Sequence, residues 1–282
     1  MGGYRAYSYI NQSKGVAIYA VQGLGDKSKD IKEIMKWDLW NPWASFYELQ
    51  STHPLIAKRM VAISNQALHL GLNPSLIFDE EKPESFWDDF FQDLIIVSLP
   101  LITGVALSAM RYFFVERGEQ SWLSLGLLGF FLLGAGIGGL IKVYLSFPLG
   151  PFVDSSIAAL LKKIKVSPVQ SYPVVVRGRI IGRGESGNVF SEDMILQDKS
   201  GIIFLDFQHG LSNWYFALFK WDKFKGQDVE IEGWYRRAPV PYIELKSIRS
   251  NTTSSTSLSF YYKLLGWCLL IGLGVVIVFF RK

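Results

Sequence analysis

The sequence predicts a mixed α+β membrane protein: a helical N-terminal region, three helices that cross the bilayer, and a small β-barrel. Three observations carry this. The chain is 49% hydrophobic with a mean hydropathy of +0.20, and its apolar residues are gathered into three long stretches. Five short β-rich runs with turn residues between them follow Pro173. An apolar repeat at helical spacing lies between Thr52 and Leu70. These features divide the chain into a helical region at 1–75, an acidic and aromatic linker at 76–93, and a transmembrane hairpin at 94–141. A linker follows at 142–172, then a barrel at 173–250, and a linker with a last transmembrane helix at 251–282.

In "ELQSTHPLIAKRMVAIS", Ser51 or Thr52 is placed to cap a helix by accepting free backbone N–H groups. Pro54 is tolerated in a first turn, where its missing N–H has no partner to lose. Ile56, Met60 and Ile63 then recur at helical spacing. Gly71 and the following Asn73-Pro74 stop the helix near Leu70.

The stretch "DEEKPESFWDDFFQD" places Phe86, Trp87, Phe90 and Phe91 at i, i+1, i+4 and i+5. That spacing suits a short helix lying on the membrane surface, with a solvated connector as the equal alternative. The first apolar stretch is Leu94–Met110, continuing through Tyr112, Phe113 and Phe114. The second is Ser121–Ile141, and the third is Leu264–Phe280 behind Phe260, Tyr261 and Tyr262. A helix crosses the hydrocarbon core with about 20 residues, and flanking aromatics suit its interfaces. Gly134 with Gly138, Ala135 with Gly139, and Gly104 with Ser108 are four apart. Small residues at that spacing let helix backbones approach closely in lipid. The second stretch holds no charged residue, so packing is favoured over a pore or substrate path.

Three spans put both large polar regions on one side. Lys142, Lys162, Lys163, Lys165 and Lys263 lie there, against Arg111, Arg117, Arg281 and Lys282 on the other. The balance leans slightly toward a cytoplasmic placement of the large regions. No secretory signal pattern opens the chain. The one cysteine, Cys268, lies inside the third stretch, so neither an intrachain disulfide nor a cysteine metal cluster is expected.

After Pro173, "VVVRGRIIG", "DMILQD", "GIIFLDF", "DVEIEGWY" and "PYIELKSI" read as strands. Val229, Ile231 and Gly233 alternate with Asp228, Glu230 and Glu232. "QDKSG" is a turn, and Ser212–Phe219 reads as a helix between the third and fourth strands. This order resembles an OB-fold barrel. Such barrels often bind single-stranded nucleic acid, but Pro173–Arg249 holds eleven Lys and Arg against ten Asp and Glu. A surplus of one is a poor phosphate-binding surface, so nucleic acid is not the expected partner. Buried barrel positions account for Trp214, Tyr215, Trp221, Trp234 and Tyr235 more simply than base stacking. His209, alone in "FQHG", has nothing nearby to complete a metal set.

"NPWASFYELQSTHPLIAKRM" resembles the C-terminal part of the catalytic domain of HtpX-like membrane zinc metallopeptidases. Ser51, Thr52, His53, Pro54 and Arg59 match that family's phrase, while Leu55 and Met60 depart from it. The match covers about residues 1–70. It implies a helical peptidase remnant, a role in proteolysis and membrane protein quality control, and zinc as the family's cofactor. The family's chemistry needs H-E-x-x-H and a further glutamate. Of His53, His69 and His209, none forms that pair, and no glutamate precedes Glu33. No catalytic or metal-binding residue is therefore assigned here, and this chain is expected to hold no zinc of its own. The catalytic half is missing. A chain that starts inside a domain, or one that kept the scaffold and dropped catalysis, would both read this way. The partners expected are the lipid bilayer and an intact peptidase subunit or another membrane protein. The rival expectation is a non-enzymatic membrane adaptor whose barrel binds a protein or ligand.

Overall fold

A computed structural model describes residues 27–74, 76–78, 81–82, 84–114, 125–183, 193–207 and 221–279, with side chains from Ile31 onward. The Ser212–Phe219 helix, His209, Trp214, Tyr215, Arg117, Arg281, Lys282, the first four residues of the second apolar stretch and the chain before Lys27 lie outside the described residues. Contacts divide the chain into two compact units. One joins Met1–Phe90 to Leu149–Ser257, and the other joins Phe91–Pro148 to Leu258–Lys282.

The first unit begins with helices α1 (Lys27–Trp40), α2 (Pro42–Glu48) and α3 (Ile56–His69). Asn41 caps α2, its Oδ1 accepting from the Trp43 N–H at 2.9 Å, and Pro42 opens the helix where proline is tolerated. α3 ends where the sequence places it. Gly71 takes φ +71°, and the Leu72 and Gly71 N–H groups donate to the Ala67 and Leu68 carbonyls. That left-handed glycine cap satisfies the last carbonyls.

The start of α3 differs from expectation. The helix begins at Ile56, not near Thr52, and neither Ser51 nor Thr52 caps it. The residue before a proline is driven to extended backbone, so His53 cannot enter a helix ahead of Pro54. The Ser51 hydroxyl instead accepts from the His53 N–H at 3.3 Å. Glu48 does the capping from a distance. Its carboxylate accepts from the Leu55 N–H at 3.4 Å and pairs with Lys58.

The barrel comprises β2 (Tyr172–Arg183), β3 (Met194–Gln197), β4 (Ile202–Asp206), β5 (Asp228–Arg237) and β6 (Pro241–Ser250). It is preceded by β1 (Val153–Asp154) and helix α6 (Ile157–Leu161), and followed by β7 (Ser254–Thr256). The order β2-β3-β4-β6-β5 closes because β5 also pairs β2. All neighbours in the ring are antiparallel except β4 and β6, which run parallel. Twelve-residue β2 serves both partners: Tyr172–Arg179 pair β5, and Arg179–Arg183 pair β3 across a bulge. The "QDKSG" turn is as expected. Asp198 Oδ1 accepts from the Ser200 and Gly201 N–H groups at 2.6 and 2.7 Å. The same turn caps α6, since Asp198 and Ser200 accept from the Ile157 and Ala158 N–H groups. α6 thereby puts Ile157, Leu160 and Leu161 into the barrel core beside Val176, Ile180, Leu196, Leu205, Phe207, Ile231 and Leu245. Burying side chains of this size supplies most of the folding drive, about 1.5–3 kcal/mol each before entropy is counted.

β5 alternates as predicted up to Glu232 and then stops alternating: Gly233 to Arg237 are all buried. Both faces of that half are covered. In the aromatic stretch ahead of the first long apolar helix, Phe86 and Phe90 are buried while Trp87 and Phe91 are about half exposed. Phe90 meets Trp43 with ring centroids 5.0 Å apart. The four aromatics therefore do not share one lipid-facing stripe, and Trp87 is not in a separate surface helix. It opens a continuous helix, α4 (Trp87–Phe114).

The second unit is made from α4 (Trp87–Phe114), whose division from the first unit falls at Phe90, with α5 (Leu125–Ser146) and α7 (Ser259–Phe279). All three are long and apolar enough to cross a membrane. Their contacts run through glycine. A Cβ on Gly138 would sit 2.5 Å from the Leu99 carbonyl oxygen of α4, and one on Gly134 would strike the Thr103 carbonyl. Gly136 and Gly139 meet Ile271 and Trp267 of α7 in the same manner, and a Cβ on Gly274 would sit 2.8 Å from the Gly129 carbonyl. Pro100 lies inside α4 and removes one helix N–H. Thr103, three residues on, donates its hydroxyl to Leu99 O at 2.7 Å and to Gly134 O at 2.6 Å, joining α4 to α5. Ser108 Oγ donates to Leu127 O at 3.1 Å.

Candidate functional site

The five residues of the sequence motif lie along one surface stretch. Thr52, His53, Pro54 and Arg59 are exposed, and Ser51 is partly covered. The strut beneath them is the Glu48–Lys58 pair. His69, at the other end of α3, is exposed as well. Among the described residues no group of three His, Cys, Asp or Glu side chains is placed to hold a metal. His53 and His69, exposed at opposite ends of α3, do not fit the zinc that the resemblance implies.

The most highly built polar site was not foreseen from the sequence. It is centred on adjacent arginines at the end of β5. Arg237 is 1% exposed. One guanidinium nitrogen donates to the Leu161 carbonyl at the end of α6. The other donates to the Ile34 carbonyl of α1 at 2.9 Å and lies 3.7 Å from Asp38. The guanidinium also lies 4.9 Å from the Trp37 ring centroid. A planar five-donor fork serves several carbonyls at once, which an ammonium cannot do. Beside it, Trp37 Nε1 donates to Val166 O at 2.8 Å, and Asn41 Nδ2 donates to Ile164 O at 2.9 Å. α1 is thus tied to the segment before β2 and to the barrel wall by hydrogen bonds spanning more than a hundred residues of sequence.

Arg236 points the other way. Its Nε donates to Glu244 at 3.0 Å, and its Nη1 donates to the Pro168 and Val169 carbonyls at 3.1 and 2.7 Å. Arg236 and Glu244 are both buried. Burial pushes the Tyr242 phenol above its usual range, with the Arg236 charge opposing. Burial pushes Tyr235 to about 12 against the pull of Arg237, and pushes Tyr47 to about 12. None of these tyrosines ionises near neutral pH, so none is a general base there.

A second place of interest is an open groove of about 670 Å³ on the barrel, floored by Gly178 and Val229 and lined by charged side chains. Its charges alternate across strands. Asp154 of β1 pairs with Arg177 of β2, which pairs with Glu230 of β5 at 2.7 Å. Glu230 faces Arg249 of β6 in register, and Arg179 meets Asp228 at 3.2 Å. Glu230 and Asp154 hold the exposed Arg177 guanidinium even more firmly protonated than usual. Four basic side chains, Arg177, Arg179, Lys199 and Arg249, stand beside Asp198, Asp228 and Glu230. The groove is close to zwitterionic and lacks the one-signed field of a phosphate track.

The fold and these sites define a mixed α+β chain with a closed five-stranded barrel and three helices of membrane-crossing length and apolarity. Comparison with protein-family models, curated proteins and solved structures gives no significant match.

Proposed function

We propose that this chain is a membrane-anchored platform in which a helical segment akin to part of the HtpX-like peptidases rides on an OB-like barrel. The observation that carries the reading is the Arg237 junction. A guanidinium buried between α1, α6 and β5 makes helices and barrel one solid body, suited to presenting surfaces to a partner. The barrel's β2-β3-β4-β6-β5-β2 pairing, with one parallel neighbour pair, supports the OB-like designation. The exposed Ser51–Arg59 stretch and the charged groove are the surfaces offered. The partner in this reading is an intact peptidase subunit or another membrane protein, and this chain contributes no hydrolytic residue of its own. The polar regions lie on the cytoplasmic side, and the three apolar helices anchor them.

The test uses the purified full chain. Zinc far below one per chain and no chelator-sensitive cleavage of an unfolded substrate are expected. Stoichiometric zinc together with chelator-sensitive cleavage would replace the platform reading with an enzymatic one. The alternative of a free-standing adaptor, favoured by the zwitterionic groove, predicts binding of a charged protein surface that Arg177→Glu weakens.

A further inference from the structure

The strand register lays the open groove of the barrel out as a row. Gln197 of β3 faces Arg179 of β2, Arg179 faces Asp228 of β5, and the next residue, Val229, faces Ser250 of β6. At a strand spacing of ~4.8 Å the two ends of this row lie roughly 14 Å apart. Both ends line the same cavity of about 670 Å³. At one end stands Lys199, exposed in the β3–β4 turn, and among the described residues its ammonium has no partner. Its neighbour Asp198 is spent on the turn and on α6, accepting from the Ser200, Gly201 and Ile157 N–H groups. At the other end stands Arg249, 3.6 Å from Glu232, and the same carboxylate lies 3.6 Å from Lys246. One carboxylate between two cations leaves a positive charge there. We propose that this groove binds an extended acidic segment of a partner protein, laid across the strands with its carboxylates at Lys199 and Arg249. The proposal rests on the reading that this chain presents its barrel surface to a partner.

The middle of the groove selects a peptide over other polyanions. There Arg177 pairs with Glu230 at 2.7 Å and Arg179 with Asp228 at 3.2 Å, and both arginine side chains stay open to solvent. These pairs balance charge without exhausting hydrogen bonding. A carboxylate held through one oxygen keeps lone pairs for a peptide N–H, and a guanidinium keeps further donors for a peptide carbonyl. Donors and acceptors alternate along an extended peptide, as they alternate across these strands. A phosphodiester backbone offers acceptors only and carries a charge at every unit, which Asp228 and Glu230 repel. About four extended residues cover the row from end to end. An acidic side chain near each end of such a segment meets a cation, and its uncharged middle lies over the paired groups.

Fluorescence anisotropy with the full chain in phosphatidylcholine nanodiscs tests this. The probes are a short labelled peptide with spaced glutamates and its glutamine, lysine and backbone N-methylated counterparts. The glutamate peptide is expected to bind about fivefold more tightly than the glutamine one, and less tightly as salt rises. The N-methylated form should lose at least about threefold, because it cannot donate to Asp228 and Glu230. Lys199→Gln should weaken the glutamate peptide about threefold and Lys199→Glu about tenfold, while Lys32→Gln, on α1, should change nothing. The peptide comparisons use the unaltered chain, so they decide the matter even if a variant fails to fold. Equal affinity for the glutamate and lysine peptides overturns the proposal. So does an unchanged affinity in Lys199→Glu, or tighter binding of an oligothymidylate. Failure here leaves the Arg237 junction standing, because that junction is read by hydrogen exchange. Separate opening of α1 and the barrel would sink the platform and leave the peptide affinity as measured.

Discussion

The two units bury opposite kinds of residue. In the helix-and-barrel unit the interior holds Trp37, Tyr235, Phe207, Phe224 and a full arginine, while the exposed strand faces carry charge. In the three-helix unit the interior contacts fall on Gly134, Gly136, Gly138 and Gly139, while Leu101, Leu265, Leu269 and Phe279 face outward, each more than half exposed. Water expels large apolar groups into a core, but lipid does not, because lipid tails are as apolar as leucine. Close backbone approach and a few interhelical hydrogen bonds, such as Thr103 to Gly134, then hold helices together. The contrast is the one expected where water surrounds one unit and lipid the other.

The largest expected effect is in the first unit. Arg237→Ala removes the donors to the Ile34 and Leu161 carbonyls and the charge beside Asp38 in a buried junction, and should cost about 3–5 kcal/mol in chemical unfolding. Arg237→Lys should recover little, because one ammonium cannot span those acceptors. A loss below about 1 kcal/mol would mean that the junction is wet.

The buried phenols come next. The Tyr235 pKa is raised in the folded state from 10.0 to about 12 by burial. Below pH 10 both folded and unfolded chains keep the proton, and the full contribution is present. Between pH 10 and about 12 the unfolded chain releases the proton first, so stability falls as pH rises. The loss is on the order of 2–3 kcal/mol for this group. Tyrosine absorbance during an alkaline titration should show a late fraction that ionises only as the chain unfolds, and Tyr235→Phe should shrink it.

In the second unit, Gly138→Ala drives a methyl into the Leu99 backbone and should cost about 1–3 kcal/mol. Gly266→Ala and Gly272→Ala, where a Cβ meets nothing within 4 Å, should leave stability unchanged or raise it by up to about 1 kcal/mol. Equal losses at all three sites would break the packing account. The smallest effect belongs to the ladder. Arg177 is 60% exposed at its side chain, so Arg177→Ala should change stability least of all, and less still in high salt.

What the sequence disclosed follows the same physics. The three apolar helices, the Gly134–Gly138 packing, the strand runs, the "QDKSG" turn and the Gly71 stop depend on local chemistry, and all are legible in neighbouring residues. The start of α3 was misplaced because a capping serine and a following proline compete, and the restriction that Pro54 puts on His53 prevails. The Arg237 junction was invisible, because Ile34, Leu161 and Arg237 are brought together only by the fold. One trace of it stood in the sequence: the alternation of "DVEIE" fails at "GWYRR", where two arginines enter a strand that has lost its polar face.

The claim on which the platform depends is that α1 and the barrel open as one body. Native-state hydrogen exchange of the full chain measures it directly. Amides of Ile34–Trp40 and of Val229–Ile248 should share one opening free energy, and both should fall together in Arg237→Ala. Fast exchange in Ile34–Trp40 beside a fully protected barrel would contradict it.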